Sequence, residues 1–150
     1  MSEFQINQVL SANGQLLAES EQFSYLLHEN AEVAWFILVP HTEICELYQL
    51  DAEFQQQVYC QINLLSEFIQ AHFSVHKMNV ATIGNVVSQL HIHVIGRRRD
   101  DLYWPDVVWG RNYKKTRSSS QIELITRQFL AFAPGVCRPK KAVDKPIFDF

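Results

Sequence analysis

Leu90-His91-Ile92-His93-Val94-Ile95 is the stretch that decides how this chain is read. A β-strand sends alternate side chains to opposite faces. In a strand over 90–95, Leu90, Ile92 and Val94 enter a core. Gln89, His91 and His93 then project together from the other face. Polar groups lined up in that way are a poor choice for packing and a good one for chemistry.

Working outward, Gly84-Asn85 supplies turn-forming residues, and 78–83 reads as the preceding strand. Trp35-Phe36-Ile37-Leu38-Val39 is a continuous apolar run stopped by Pro40, as expected of a central strand. Residues 16–18 and 23–28 read as shorter strands, after a short helix over 6–10 that ends near Asn13-Gly14. The longest helix follows Asp51, a suitable N-cap, with Glu53 at the positive end of its dipole. Phe54, Val58, Ile62, Leu65, Phe68 and Ile69 recur at helical spacing along it. Residues 101–112 are aromatic and irregular. A last helix opens in a serine cluster, with Ser120 and Glu123 at capping-box spacing, and stops at Pro134-Gly135. Strands this close in sequence pair as hairpins. The order implies an α+β fold, an antiparallel sheet with helices on one face.

At 150 residues and 47% hydrophobic content, one soluble domain is expected, over 1–135, with a basic, Pro-containing tail over 136–150. Residues 1–25 hold Glu3, Glu19 and Glu21 and no Lys or Arg, so no secretory leader is expected. No apolar run is long enough to span a bilayer. Cys45, Cys60 and Cys137 are scattered, which fits reduced thiols in the cytoplasm. The net charge of −3 hides an asymmetry: residues 1–96 carry ten acidic groups and one basic, and 97–150 carry twelve basic and six acidic. The switch falls at Arg97-Arg98-Arg99. That run either serves an anionic ligand or pairs with Asp100, Asp101 and the acidic half. A negative total with no accompanying motif excludes a nucleic-acid stripe.

A His-x-His strand has two chemical uses. Neighbouring imidazoles can share a metal, but no CxxC or HExxH is present, and the spacing of His41, His72 and His76 predicts no third ligand. Alternatively, a neutral ring nitrogen attacks phosphorus while its partner nitrogen donates a hydrogen bond that fixes the tautomer. The second ring, about 7 Å along the strand, then reaches phosphate oxygens. The bland alternative is a solvated pair. Tyr103, Trp104 and Trp109 either stack a base or belong to core or dimer contacts.

Gln89-Leu90-His91-Ile92-His93-Val94-Ile95 resembles the histidine triad (HIT) signature, in which histidines alternate with apolar residues. Gly84-Asn85-Val86-Val87-Ser88 sits where that family has Gly-Gln-Ser/Thr-Val-x. Trp104-Pro105 and Val108-Trp109-Gly110 are similar to a feature of short bacterial members. The resemblance implies a five-stranded antiparallel sheet with a long helix and a C-terminal helix, usually in a homodimer. It implies a hydrolase or transferase acting at the α-phosphate of dinucleoside polyphosphates or nucleoside phosphoramidates, through a nucleotidyl-histidine intermediate. Its partner is a purine nucleotide or nucleotide conjugate, with no cofactor and no metal for the covalent step. His91 maps to the nucleophile and His93 to the third histidine. Gln89 takes the first triad position. Asn85 maps to a phosphate-binding position, and Ser88, Asn79 and Arg97 are further substrate-binding candidates. Gln89 cannot take up a proton as histidine does, Val86 lacks the usual hydroxyl, and the positions nearest the family's ribose-contacting Asn are Glu29, which would repel an anion, and Asn30. These departures imply a weakened activity, or a nucleotide-binding module with little or no turnover.

Overall fold

The computed structural model describes residues 3–140. Its elements, in chain order, are α1 (Gln8–Ala12), β1 (Gly14–Glu19), β2 (Phe23–His28), β3 (Ala34–Pro40), a 3-10 turn (Leu47–Gln49), α2 (Ala52–His72), β4 (Lys77–Ala81), β5 (Ile92–Arg97) and α3 (Ser119–Phe132). The five strands form one antiparallel sheet in the order β1-β2-β3-β5-β4. This is the α+β architecture expected. No helix among the described residues is long and apolar enough to cross a membrane.

The sheet separates two apolar layers. On one side, Phe23, Tyr25, Leu27, Phe36, Leu38, Ile92 and Val94 pack against Val58, Leu65, Phe68 and Ile69 of α2 and Ile125 and Phe129 of α3. Each such side chain contributes about 1.5–3 kcal/mol by leaving water. The approach of α2 is close enough to require glycine at 96. A Cβ there would stand 2.5 Å from Ile69 Cγ2 and 2.7 Å from Val75 Cγ1. On the other side, Leu26, Trp35, Ile37, Val39 and Ile95 are covered by Leu10, Val87, Tyr103 and Val108, with Phe4, Ile6 and Trp109 packed at the margin. The two long helices therefore share one face, and α1 lies with the other.

Asp51 caps α2 as expected, accepting from the Phe54 N–H at 2.9 Å. The cap of α3 differs from expectation. Ser118 and Gln121 form the capping box two residues earlier than Ser120 and Glu123, and Glu123 instead pairs with Arg138. The histidine strand is also shifted. The ladder between β3 and β5 stops at Leu38 and Ile92, so 82–91 is loop and the strand runs on to Arg97. In the tail, Cys137 and Glu19 exchange backbone hydrogen bonds at 2.8 and 2.9 Å, extending the β1 edge. Residues 141–150 of that tail lie outside the described residues.

Candidate active site

His91 is the last loop residue before β5, held between the buried Leu90 and Ile92. Its Nδ1 lies 2.7 Å from the Gln89 backbone oxygen. A carbonyl only accepts, so Nδ1 must donate, and the lone pair of the neutral ring sits on Nε2. No described residue hydrogen-bonds to Nε2, and that atom is not among the sealed, unpartnered polar atoms. The residue as a whole is only 4% exposed, less open than its alternation with apolar neighbours implied.

His93 lies on β5, 7% exposed, its ring centre 5.0 Å from that of His91. This is less than the backbone rise of about 7 Å over two strand residues, so the two rings lean towards each other. The Trp35 indole donates to His93 Nδ1 at 2.9 Å. His93 Nε2 therefore carries the hydrogen of the neutral ring. Burial lowers His93 to about 3, and positive charge on His91 or His28 would push in the same direction. His28 stacks on Trp35, rings 4.0 Å apart, and its Nδ1 accepts from the Asn30 N–H. Burial takes His28 to about 4 against the opposing pull of Glu29. Trp109 meets both Trp35 and His93 edge-on. Of these rings, His93 is the one set against His91; the Trp35 N–H is spent on His93, and the Trp109 N–H is buried without a partner. Trp35 and His28 gave no sequence signal of this arrangement, since each looked like an ordinary strand residue.

Gln89, His91 and His93 do not project together. Gln89 turns its side chain to the N-terminal segment, donating to the Gln5 carbonyl and accepting from the Asn7 N–H. Both ends of the Gln89 amide are thereby engaged. Asn85 and Ser88 stand exposed on the loop before His91, as does Val86 at 89%. Arg97 and Asn79, the other substrate-binding candidates, are hydrogen-bonded to each other. Arg97 is 1% exposed, gripping Asp101 through Nε and one terminal nitrogen at 2.8 and 3.0 Å and Asn79 through the other. Burial works to raise Asp101, but hydrogen bonds from Arg97 and from the Tyr103 and Arg98 N–H groups outweigh it and hold the carboxyl low. Arg98 pairs with Asp100, so two members of the arginine run serve ion pairs.

Glu29 is engaged by the Tyr113 hydroxyl, and Asn30 is buried between Tyr103 and the Glu32 N–H. Tyr103 belongs to the second apolar layer, and Trp104 lies over the Arg97 guanidinium at 5.7 Å. Only Trp109 of the three aromatics borders His93. Among the described residues, no group of three or more His, Cys, Asp or Glu is placed to hold a metal ion.

Three solved structures share this architecture. A histidine triad protein from Marinobacter aquaeolei VT8 is 35% identical, with a TM-score of 0.81 over 87% of this chain and 96% of that one. A histidine triad (HIT) protein from Sinorhizobium meliloti 1021 is 26% identical, with a TM-score of 0.81 over 87% and 97%. A histidine triad protein from Bradyrhizobium japonicum is 26% identical, with a TM-score of 0.79 over 84% and 95%. No curated protein matches the chain. The HIT domain model matches residues 10–100, a span that contains the sheet, α2 and both histidines. The chain belongs to the HIT domain family.

Proposed function

We propose that this protein is a nucleotidyl hydrolase or transferase that uses His91 as its nucleophile. The observation that carries this reading is the 2.7 Å bond from His91 Nδ1 to the Gln89 carbonyl, which leaves a lone pair on Nε2. That lone pair attacks the α-phosphorus of a nucleotide conjugate. An N–P bond forms while the bond to the leaving group breaks, and its electron pair departs with that group. Water then attacks the same phosphorus and releases a proton to solvent, the N–P electron pair returns to His91, and a nucleoside monophosphate leaves. His93 donates its Nε2–H to a non-bridging phosphate oxygen, where fixed donors stabilise developing charge.

His93 is neutral at neutral pH, and the Gln89 amide has no proton to transfer. A phosphate leaving group, which departs as a stable anion, therefore suits the site better than an alkyl amine. A panel of adenosine and guanosine dinucleoside polyphosphates and phosphoramidates, with mass spectrometry for a nucleotidyl adduct on His91, tests the reading. Turnover and adduct are expected in the wild type, and His91→Asn is expected to abolish both while the protein stays folded. Wild-type-like turnover by that variant would falsify the assignment. The 4% exposure of His91 favours a second reading, a module that binds nucleotides without turnover. It expects binding with no adduct. A cytoplasmic homodimer is part of the first reading, and light scattering of the purified protein tests its dimeric part.

A further inference from the structure

Gln89 holds the N-terminal segment with both ends of its amide. Its Oε1 accepts from the Asn7 N–H at 2.8 Å, and its Nε2 donates to the Gln5 carbonyl at 2.9 Å. These partners lie 82 and 84 residues away in the chain. A carboxamide is a copy of the peptide group, with donor and acceptor side by side. It docks on residues 5 and 7 as a neighbouring strand would. An imidazole carries its two nitrogens on different edges of the ring and cannot make both bonds to one such segment.

The backbone of the same residue sets the nucleophile, since its carbonyl accepts from His91 Nδ1 at 2.7 Å. The N-terminal segment also packs Phe4 and Ile6 at the margin of the second apolar layer. Cavities of about 310 and 470 Å³ lie against it, both lined by Glu3, Phe4 and Ile6. The Phe4 ring rests on His41, centres 4.3 Å apart. Loosening such a segment releases the Gln89 side chain, and with it the orientation of the following peptide.

We propose that Gln89 is a positioning residue, which couples residues 5–7 to the His91 tautomer and so places the nucleophile under the control of the N-terminal segment. The proposal rests on reading His91 as the nucleophile. Its test combines nitrogen NMR of the His91 ring, assigned by difference from His91→Asn, with steady-state kinetics on the dinucleoside polyphosphate that the wild type hydrolyses. The variants are Gln89→Leu, which removes both side-chain bonds, and Phe4→Ala, which loosens the segment without touching residue 89. In both, the ring signals are expected to move from the Nδ1–H form towards a mixture. The kcat is expected to fall on the order of 10-fold, with KM within about twofold.

Unchanged ring signals in folded Gln89→Leu overturn the proposal. A lower melting temperature with ring signals and kcat unchanged also overturns it, because the clamp is then only structural. If Gln89→Leu does not fold, Phe4→Ala decides by the same criteria. If the wild type forms no His91 adduct and the ring signals still shift in the variants, the nucleotidyl-transfer reading fails and only the coupling of residues 5–7 to the His91 tautomer stands.

Discussion

Trp35 fixes the tautomer of neutral His93, because its indole N–H occupies Nδ1. Phenylalanine at 35 keeps an aromatic ring and removes the donor. Trp35→Phe is expected to lower stability by about 1–3 kcal/mol, since a buried acceptor loses its partner. It is also expected to lower kcat on the order of 10-fold by freeing the tautomer of His93. Chemical denaturation and steady-state kinetics check the two effects separately. The two histidines were legible from their alternation with Leu90, Ile92 and Val94. Trp35 was not, because its partner is 58 residues away and a central strand uses tryptophan for packing anyway. The pairing of Arg97 with Asp101 was legible as one of two alternatives, beside service to an anionic ligand. Its burial was not, because a run of cations reads as surface and only the extension of β5 draws its first member inside.

The elements were legible wherever apolar periodicity and a local cap agreed. The span of β2 and the cap of α2 were plain in the sequence, since each is fixed by neighbours along the chain. The start of β5 was not, because it depends on where β3 stops offering partners. The choice among the serines at 118–120 depended on which one could reach Gln121, and Arg138 diverts Glu123. Gly96 is where the element scale is tightest. A methyl group there meets both Ile69 and Val75, side chains held by packing. Gly96→Ala is expected to destabilise by about 1–3 kcal/mol through overpacking. Gly96→Ala with Ile69→Ala is expected to recover part of that loss in the same urea titration, relative to the sum of the two single changes. At the other helix, Ser118→Ala removes the cap and is expected to lose about 1 kcal/mol.

At the scale of the molecule, burying neutral imidazoles links stability to pH. In the unfolded chain such rings titrate near 6.5. In the folded protein His93 falls to about 3 and His28 to about 4, and burial lowers His41 as well. Between those values and 6.5 the unfolded chain binds the additional protons, so stability is complete above 6.5 and drops as the solution is acidified. The urea midpoint is expected to fall from pH 7 to pH 5. His28→Phe, which keeps a ring on Trp35, is expected to remove about one proton from the uptake on unfolding. A midpoint flat across that range would contradict the enclosure of these rings. Near the β1 edge, Glu3 and Lys140 line the same two cavities, and Cys137 exchanges backbone hydrogen bonds with Glu19. The outer strand of the sheet is thereby occupied along part of its length, which blunts its capacity to recruit a strand from another molecule.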